Sequence, residues 1–302
     1  MKRMEDLIVP TITPFDENGE IDSERIKSHY DFLIRVGVKN FYILGTTGEV
    51  FLMDKKERQR VAELVVEYVG NRGNIFIQVG STSTKEACEL AQHAERIGAA
   101  GIGAITPFYF KVSQSEMEQY YMTIAESVRD DFPVYLYNLP SCTTNDLLPE
   151  TVSKLAKVKN IVGIKNSMAD ILRLSRLVDE TSDDFDVIIG ADPIIMPAML
   201  YGAKGSVSGN ANVFPEIFIE FFQAFKENNY EKAHQKQIAI RHIAMVLKDG
   251  ANLAYFKQAL TYRGFKPTFT RKPLLGLNQK EKDILSAEIK NIIENLLFKK
   301  TL

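Results

Sequence analysis

Cysteine is scarce. Cys88 and Cys142 are the two in 302 residues. Two thiols make no disulfide framework, and a reducing cytoplasm is the expected setting. Histidine is equally thin. His29, His93, His234 and His242 all fall in segments of helical pattern, and none belongs to a ligand cluster. His234 and His242 can share a helix face, but two imidazoles do not make a metal site. No long apolar run exists. Stretches such as Val187-Ile188-Ile189 are far too short to span a bilayer. Met1-Lys2-Arg3-Met4-Glu5-Asp6 turns acidic and lacks the apolar core and cleavage site of a signal peptide. Charge of one sign is missing too. The formal net charge is -2, which gives no electrostatic case for nucleic acid. Neither the nicotinamide fingerprint nor the lysine spacing of a phosphate loop is present. The expectation is an enzyme or binding protein without metal or cofactor, acting away from membranes and nucleic acid.

What is present is a repeated rhythm. Eight short apolar runs recur: Leu7–Thr13, Phe41–Leu44, Ile75–Val79, Ile102–Thr106, Val134–Tyr137, Ile161–Lys165, Phe185–Ile189 and Ser206–Ser208. Most are continuous rather than alternating, as strands of a parallel sheet covered by helices must be. Amphipathic segments separate them. Ser83 with Glu86, and Asp54 with Glu57, have the spacing of capping boxes, and Pro215 opens a further helix. Val36-Gly37-Val38-Lys39, Ile97-Gly98-Ala99-Ala100 and Tyr201-Gly202-Ala203-Lys204 each precede a strand. The same glycine-stopped joint used repeatedly implies repeated strand-helix units. Eight such units favour a closed (β/α)8 barrel over an open doubly wound sheet, and a barrel takes about 250 residues. Residues 1–229 are assigned to the barrel. Residues 230–302 are assigned to a helical extension with helices over Tyr230–Leu247, Ala251–Tyr262 and Gln279–Leu297.

Barrel enzymes carry their chemistry at the carboxyl ends of the strands. Ile161-Val162-Gly163-Ile164-Lys165 puts an amine there. Desolvation favours a neutral amine, and a neutral amine can attack a ketone to form a Schiff base. An ion-paired or snorkelling lysine at a strand end is the plainer reading. Gly45-Thr46-Thr47-Gly48-Glu49 offers backbone amides and two hydroxyls to a carboxylate, or is simply a tight turn. Glu49 either orients that loop or faces solvent. Tyr137 can relay a proton or merely pack, and Tyr109 has the same two readings. Asp192 before Pro193 reads as a helix cap. Cys142 has no histidine near it in sequence to activate it, so an inert thiol is expected.

Taken together, Gly45-Thr46-Thr47-Gly48-Glu49, Thr106-Pro107-Phe108-Tyr109, Tyr137-Asn138-Leu139-Pro140 and Gly163-Ile164-Lys165-Asn166-Ser167 resemble the dihydrodipicolinate synthase/N-acetylneuraminate lyase family of class I aldolases. The resemblance covers roughly residues 5–295. It implies a barrel with a helical C-terminal region, assembled as a homotetramer of dimers. It implies Lys165 as the Schiff-base lysine, Tyr137 as the proton-transfer phenol, and Thr46 and Thr47 binding the keto-acid carboxylate and relaying protons, with Thr46 counted among the catalytic residues. Gly190 and Ser208 complete the implied substrate-binding set, and Tyr109 would reach a neighbouring subunit's site. Pyruvate or another 2-keto acid and an aldehyde are the implied small-molecule partners, with no cofactor.

The chain departs from the synthase pattern at one place. Synthases carry an arginine after Tyr-Asn-Val-Pro-Ser, where it grips a dicarboxylate partner. Here Cys142 stands at that position, and Thr143-Thr144 replaces the threonine-glycine that follows. A thiol cannot reproduce a bidentate guanidinium contact. The departure points to cleavage of 2-keto-3-deoxy sugar acids. Dihydrodipicolinate synthase, N-acetylneuraminate lyase, a related dehydratase and a non-catalytic keto-acid-binding protein are the alternatives.

Overall fold

Strands that are apolar on both faces need cover on both faces, and a closed parallel barrel provides it. In the computed structural model, described for residues 1–297, every expected run contributes a strand. These are β1 Asp6–Val9, β2 Asn40–Ile43, β3 Asn74–Gln78, β4 Gly101–Ile105, β5 Val134–Asn138, β6 Ile161–Asn166, β7 Asp186–Ile189 and β8 Gly205–Val207. Each neighbours the next in parallel, and Asp6↔Gly205 through Ile8↔Val207 closes the barrel. β1 is shorter than expected. Pro10 has no N–H for the ladder, so the strand stops at Val9. Thr11 and Thr13 beyond it are still buried. Thr11 shares a 2.7 Å hydrogen bond with the Tyr30 hydroxyl, and Thr13 Oγ1 donates to the Gly48 carbonyl at 2.8 Å.

The glycine joints behave as the repeat implied. Gly37, Gly98 and Gly202 have φ of 113°, 82° and 106°, where a Cβ would be strained. The capping box of Asp54 and Glu57 forms at the start of the helix Lys55–Val69. The one expected at Ser83 does not. The Ser83 side chain makes no cap bond, and Glu86 instead accepts from Ser81 Oγ. Pro215 opens the helix Pro215–Lys226. The late helices are Tyr230–Val246, Ala254–Tyr262 and Gln279–Ile292, the last continuing as a π-type segment to Leu297. Residues 298–302 of the expected extension lie outside the described residues.

Contacts sort the chain into two compact units, neither continuous in sequence. One comprises Met1–Ile8, Asn40–Ile43 and Gly73–Val207; the other comprises Val9–Lys39, Leu44–Arg72 and the chain from Ser208 onward. The first unit contains β2 to β8 and most of β1. Its core includes Ile8, Tyr42, Phe76, Ile105, Tyr137 and Ile188. Toward the amino ends of the strands, Tyr135 Oη donates to Asp186 Oδ2 at 2.6 Å and accepts from the Met4 amide at 2.8 Å. Arg3 Nε donates to the same carboxylate at 2.7 Å. Gly163 makes room for this group: a Cβ there would lie 2.6 Å from the Tyr135 ring. Among the described residues no helix is long and apolar enough to cross a membrane. Among them, too, no three His, Cys, Asp or Glu side chains group as metal ligands.

Candidate active site

β5 and β6 pair with Tyr137 opposite Lys165 and Asn138 opposite Asn166. Side chains alternate along a strand, so Tyr137 and Lys165 share one face, and Asn138 and Asn166 the other. Lys165 is 6% exposed. Its Nζ stands 3.8 Å from the Tyr137 ring centre and 4.9 Å from that of Tyr42. The two tyrosines meet edge to face at 5.9 Å. The amine therefore sits over two aromatic rings and is largely withdrawn from water. Tyr42 fits because β4 is glycine-rich: a Cβ on Gly103 would lie 2.5 Å from the Tyr42 hydroxyl. Gly190 is equally constrained, since a Cβ there would overlap Ser167 Oγ.

The opposite face of β5 ties strand ends to loops. Asn138 Nδ2 donates to Asn166 Oδ1 at 3.1 Å and to Asp146 Oδ1 at 2.9 Å, and its Oδ1 accepts from the Leu147 amide. Arg173 closes on Asp146 with both Nη atoms, at 3.0 and 2.9 Å. Cys142 is an exposed free thiol in the short helix Pro140–Thr143. Thr144 ends that helix with φ 61° and ψ -9°. That is the conformation glycine adopts freely, and it explains why glycine is the usual residue there. Buried Asn145 holds the preceding loop as well. Its Nδ2 donates to the carbonyls of Pro107 and Phe110, each at 2.8 Å, and its Oδ1 accepts from Val112. Tyr109 lies between them with φ 74° and 84% exposure, its ring against Phe110 at 5.0 Å. Among the described residues the ring is left largely uncovered, unlike the buried Tyr137 and Lys165.

In the second unit the loop after β2 is held at both ends. Leu44 and Glu49 have φ of 57° and 56°. The Gly48 and Glu49 amides bond back to the Gly45 and Thr46 carbonyls at 3.0 Å. Glu49 does not face solvent: its carboxylate accepts from Lys257 Nζ at 2.5 Å and from the Arg271 amide at 2.8 Å. Lys257 is 1% exposed, and burial pushes it down to about 8, partly offset by Glu49. Gly209 leaves room beside Thr47, since a Cβ there would lie 3.5 Å from Thr47 Oγ1. Ser208, next to it, is buried.

Three residues of consequence escaped the sequence reading. Tyr42 was hidden inside an apolar run, although the adjacent glycines of β4 signal space for a large ring. Lys257 lies within the expected helix Ala251–Tyr262 with nothing beside it in sequence to mark it. Asn145 carried no signal beyond its place in a loop.

The model of the dihydrodipicolinate synthetase family matches residues 3–292. The chain belongs to the dihydrodipicolinate synthetase family. It is an enzyme, a lyase of the aldolase type. Among relatives of this family, the 4-hydroxy-tetrahydrodipicolinate synthase of Geotalea uraniireducens is 37% identical over 283 residues, 94% of this chain and 97% of that one. A probable 2-dehydro-3-deoxy-D-pentonate aldolase of Escherichia coli K12 is 38% identical over 237 residues, covering 77% and 78%. Among solved structures, a prophage protein of this family from Escherichia coli K12, in complex with pyruvate, superposes with a TM-score of 0.91. It shares 29% identity, over 95% of this chain and 98% of its own. A dihydrodipicolinate synthase from Bacillus anthracis gives 0.92 at 31% identity, over 97% and 99%. The barrel and its flanking helices are thus the family's fold.

Proposed function

We propose that this lyase reversibly cleaves a 2-keto-3-deoxy sugar acid to pyruvate and an aldehyde through a Schiff base on Lys165. The observation that carries the reading is the Lys165 amine, enclosed by Tyr137 and Tyr42 at 3.8 and 4.9 Å from their rings. In this reading Thr46, Thr47 and the amides of their loop receive the keto-acid carboxylate, with Gly190 and Ser208 lining the substrate. The neutral amine adds to the keto carbon and water leaves, giving an iminium. The iminium draws electrons from the carbon-carbon bond beyond it. That bond breaks as Tyr137 accepts the proton of the departing hydroxyl while passing its own along the threonine relay, and the aldehyde leaves. The enamine is then protonated and hydrolysed, releasing pyruvate and the amine. Since the lysine supplies the electron sink, the reaction calls for no cofactor. Dialysis against a chelator should leave turnover intact.

Borohydride with pyruvate tests the covalent step. One reduced adduct is expected at Lys165 and none in Lys165→Ala. Tyr137→Phe should retain the adduct while turnover falls roughly 10²–10³-fold. An active enzyme with an unmodified Lys165 would end the account. For the branch, Cys142 offers an aldehyde no cation, and both Nη atoms of Arg173 are committed to Asp146. Short hydroxyaldehydes should therefore outrank aspartate semialdehyde in kcat/KM. The second reading, a 4-hydroxy-tetrahydrodipicolinate synthase, is favoured by the relatives that bear that name, and a large preference for the semialdehyde would establish it. Assembly as a homotetramer, with Tyr109 entering a partner's site, belongs to the same proposal. Sedimentation equilibrium tests it, and a monomer would exclude it.

A further inference from the structure

Lys257 and Glu49 form an ion pair withdrawn from water, with side-chain exposures of 2% and 0%. Such a pair is seldom worth its desolvation as a stabilising device alone, since apolar residues of similar volume do as well. Its geometry shows what else it does. Lys257 Nζ donates to the Thr13 carbonyl at 2.8 Å and the Phe269 carbonyl at 2.6 Å, and lies 4.5 Å from the Phe15 ring centre. Thr13 in turn donates to the Gly48 carbonyl at 2.8 Å. Glu49 takes the Arg271 amide with its other oxygen. Arg271 then donates to Glu57 through both Nη atoms and to the Leu52 carbonyl at 2.9 Å. Apart from the bond to Phe269, these contacts converge on the segment Gly48–Glu57 and on Thr13 and Phe15 after β1. None touches Thr46 or Thr47, yet together they fix the left-handed Glu49 that ends their loop.

We propose that Lys257 and Glu49 are positioning residues that hold the Thr46 and Thr47 hydroxyls where the keto-acid carboxylate is bound. The inference rests on the reading of that loop as the carboxylate site. It makes the loop's shape depend on the chain from Lys257 to Arg271, roughly 200 residues further along. The pair works by restricting the loop before substrate arrives, so its loss should weaken binding more than chemistry.

Lys257→Met alone strands a buried carboxylate and will fold poorly, so the double variant Lys257→Met with Glu49→Gln carries the test. Glu49→Gln alone, which keeps size and one acceptor, is the milder second variant. Each is compared with Thr46→Val/Thr47→Val, with folding followed by circular dichroism. The expected result is a KM for pyruvate, in borohydride trapping, raised tenfold or more in the double variant and less in Glu49→Gln. The limiting trapping rate at saturating pyruvate should fall less than threefold. A folded double variant, or a folded Glu49→Gln, with unchanged KM would overturn the proposal. If the threonine variant also keeps its KM while Lys165 still traps pyruvate, the carboxylate assignment falls and the positioning role falls with it. If wild-type Lys165 traps nothing, the Schiff-base reading fails, and the variants then separate the two ideas through direct pyruvate affinity by calorimetry.

Discussion

Thr144→Gly should make the protein more stable. Thr144 is exposed, branched at Cβ, and held at φ 61° by its place at the end of Pro140–Thr143. The left-handed region costs an L-residue roughly 1–2 kcal/mol, with branching at the upper end. Glycine removes that cost but gives the unfolded chain more freedom, a loss of about 0.4–1 kcal/mol. The net expectation is a gain of about 0.5–1 kcal/mol, or a rise in Tm of roughly 1–3 °C. The Thr144 amide bond to the Pro140 carbonyl, 2.9 Å long, survives in glycine, so no contact is lost that would offset the gain. Asparagine, which tolerates this region, should fall between glycine and threonine. Urea denaturation of the three proteins, fitted with a common slope, gives the order directly. A Thr144→Gly protein no more stable than its parent would show that the turn is not strained, and the explanation of the replaced glycine would go with it.

Gly103→Ala should press on Tyr42, whose hydroxyl would lie 2.5 Å from the new Cβ. A loss of about 1–3 kcal/mol in urea and slower trapping at Lys165 are expected, and normal values for both would refute the packing argument. His29 is buried, its Nε2 bonded to the Asn212 carbonyl at 3.2 Å, and burial lowers it from 6.5 to about 4. The unfolded chain takes up this proton below pH 6.5 while the folded chain refuses it until about 4. Stability is thus lost as pH falls through that window, by up to about 3 kcal/mol. His29→Gln should flatten the fall in urea midpoint between neutral pH and the acid limit, and an unchanged slope would remove His29 as its cause. Asn145→Ala removes the bonds that hold the Pro107–Val112 loop, so cleavage beside Tyr109 and Phe110 in limited proteolysis should become faster; equal rates would show that the loop is held otherwise.

Features that depend on neighbours in sequence were legible. The strands were visible because parallel strands are apolar on both faces, and the joints because Gly37, Gly98 and Gly202 stop helices in a conformation other residues avoid. Lys165 and Tyr137 stood out because a polar group ends an apolar run. Features that depend on distant partners were hidden. Nothing near Lys257 in sequence announces a carboxylate at Glu49, so the lysine drew no notice and the glutamate was left open. The Ser83 box failed for a related reason: Glu86 accepts instead from Ser81, which lies in the loop before the helix. Tyr42 came beside Lys165 and Tyr137 only once β4 had placed Gly103 against it.

Closure of the barrel has a consequence for how the chain is made. β1 has its β8 partner roughly 200 residues away, at Gly205 to Val207. At ribosomal speeds of about 5–20 residues per second, that partner emerges some 10–40 s after β1 does. Arg3 waits nearly as long for Asp186, and Met4 about two thirds as long for Tyr135. Throughout that interval β1 offers an unpaired edge, Leu7-Ile8-Val9, to any other strand it meets. The seam between first and last strand is therefore where nascent chains are most open to mispairing and to capture by chaperones, and slower elongation between residues 186 and 205 would lengthen that exposure.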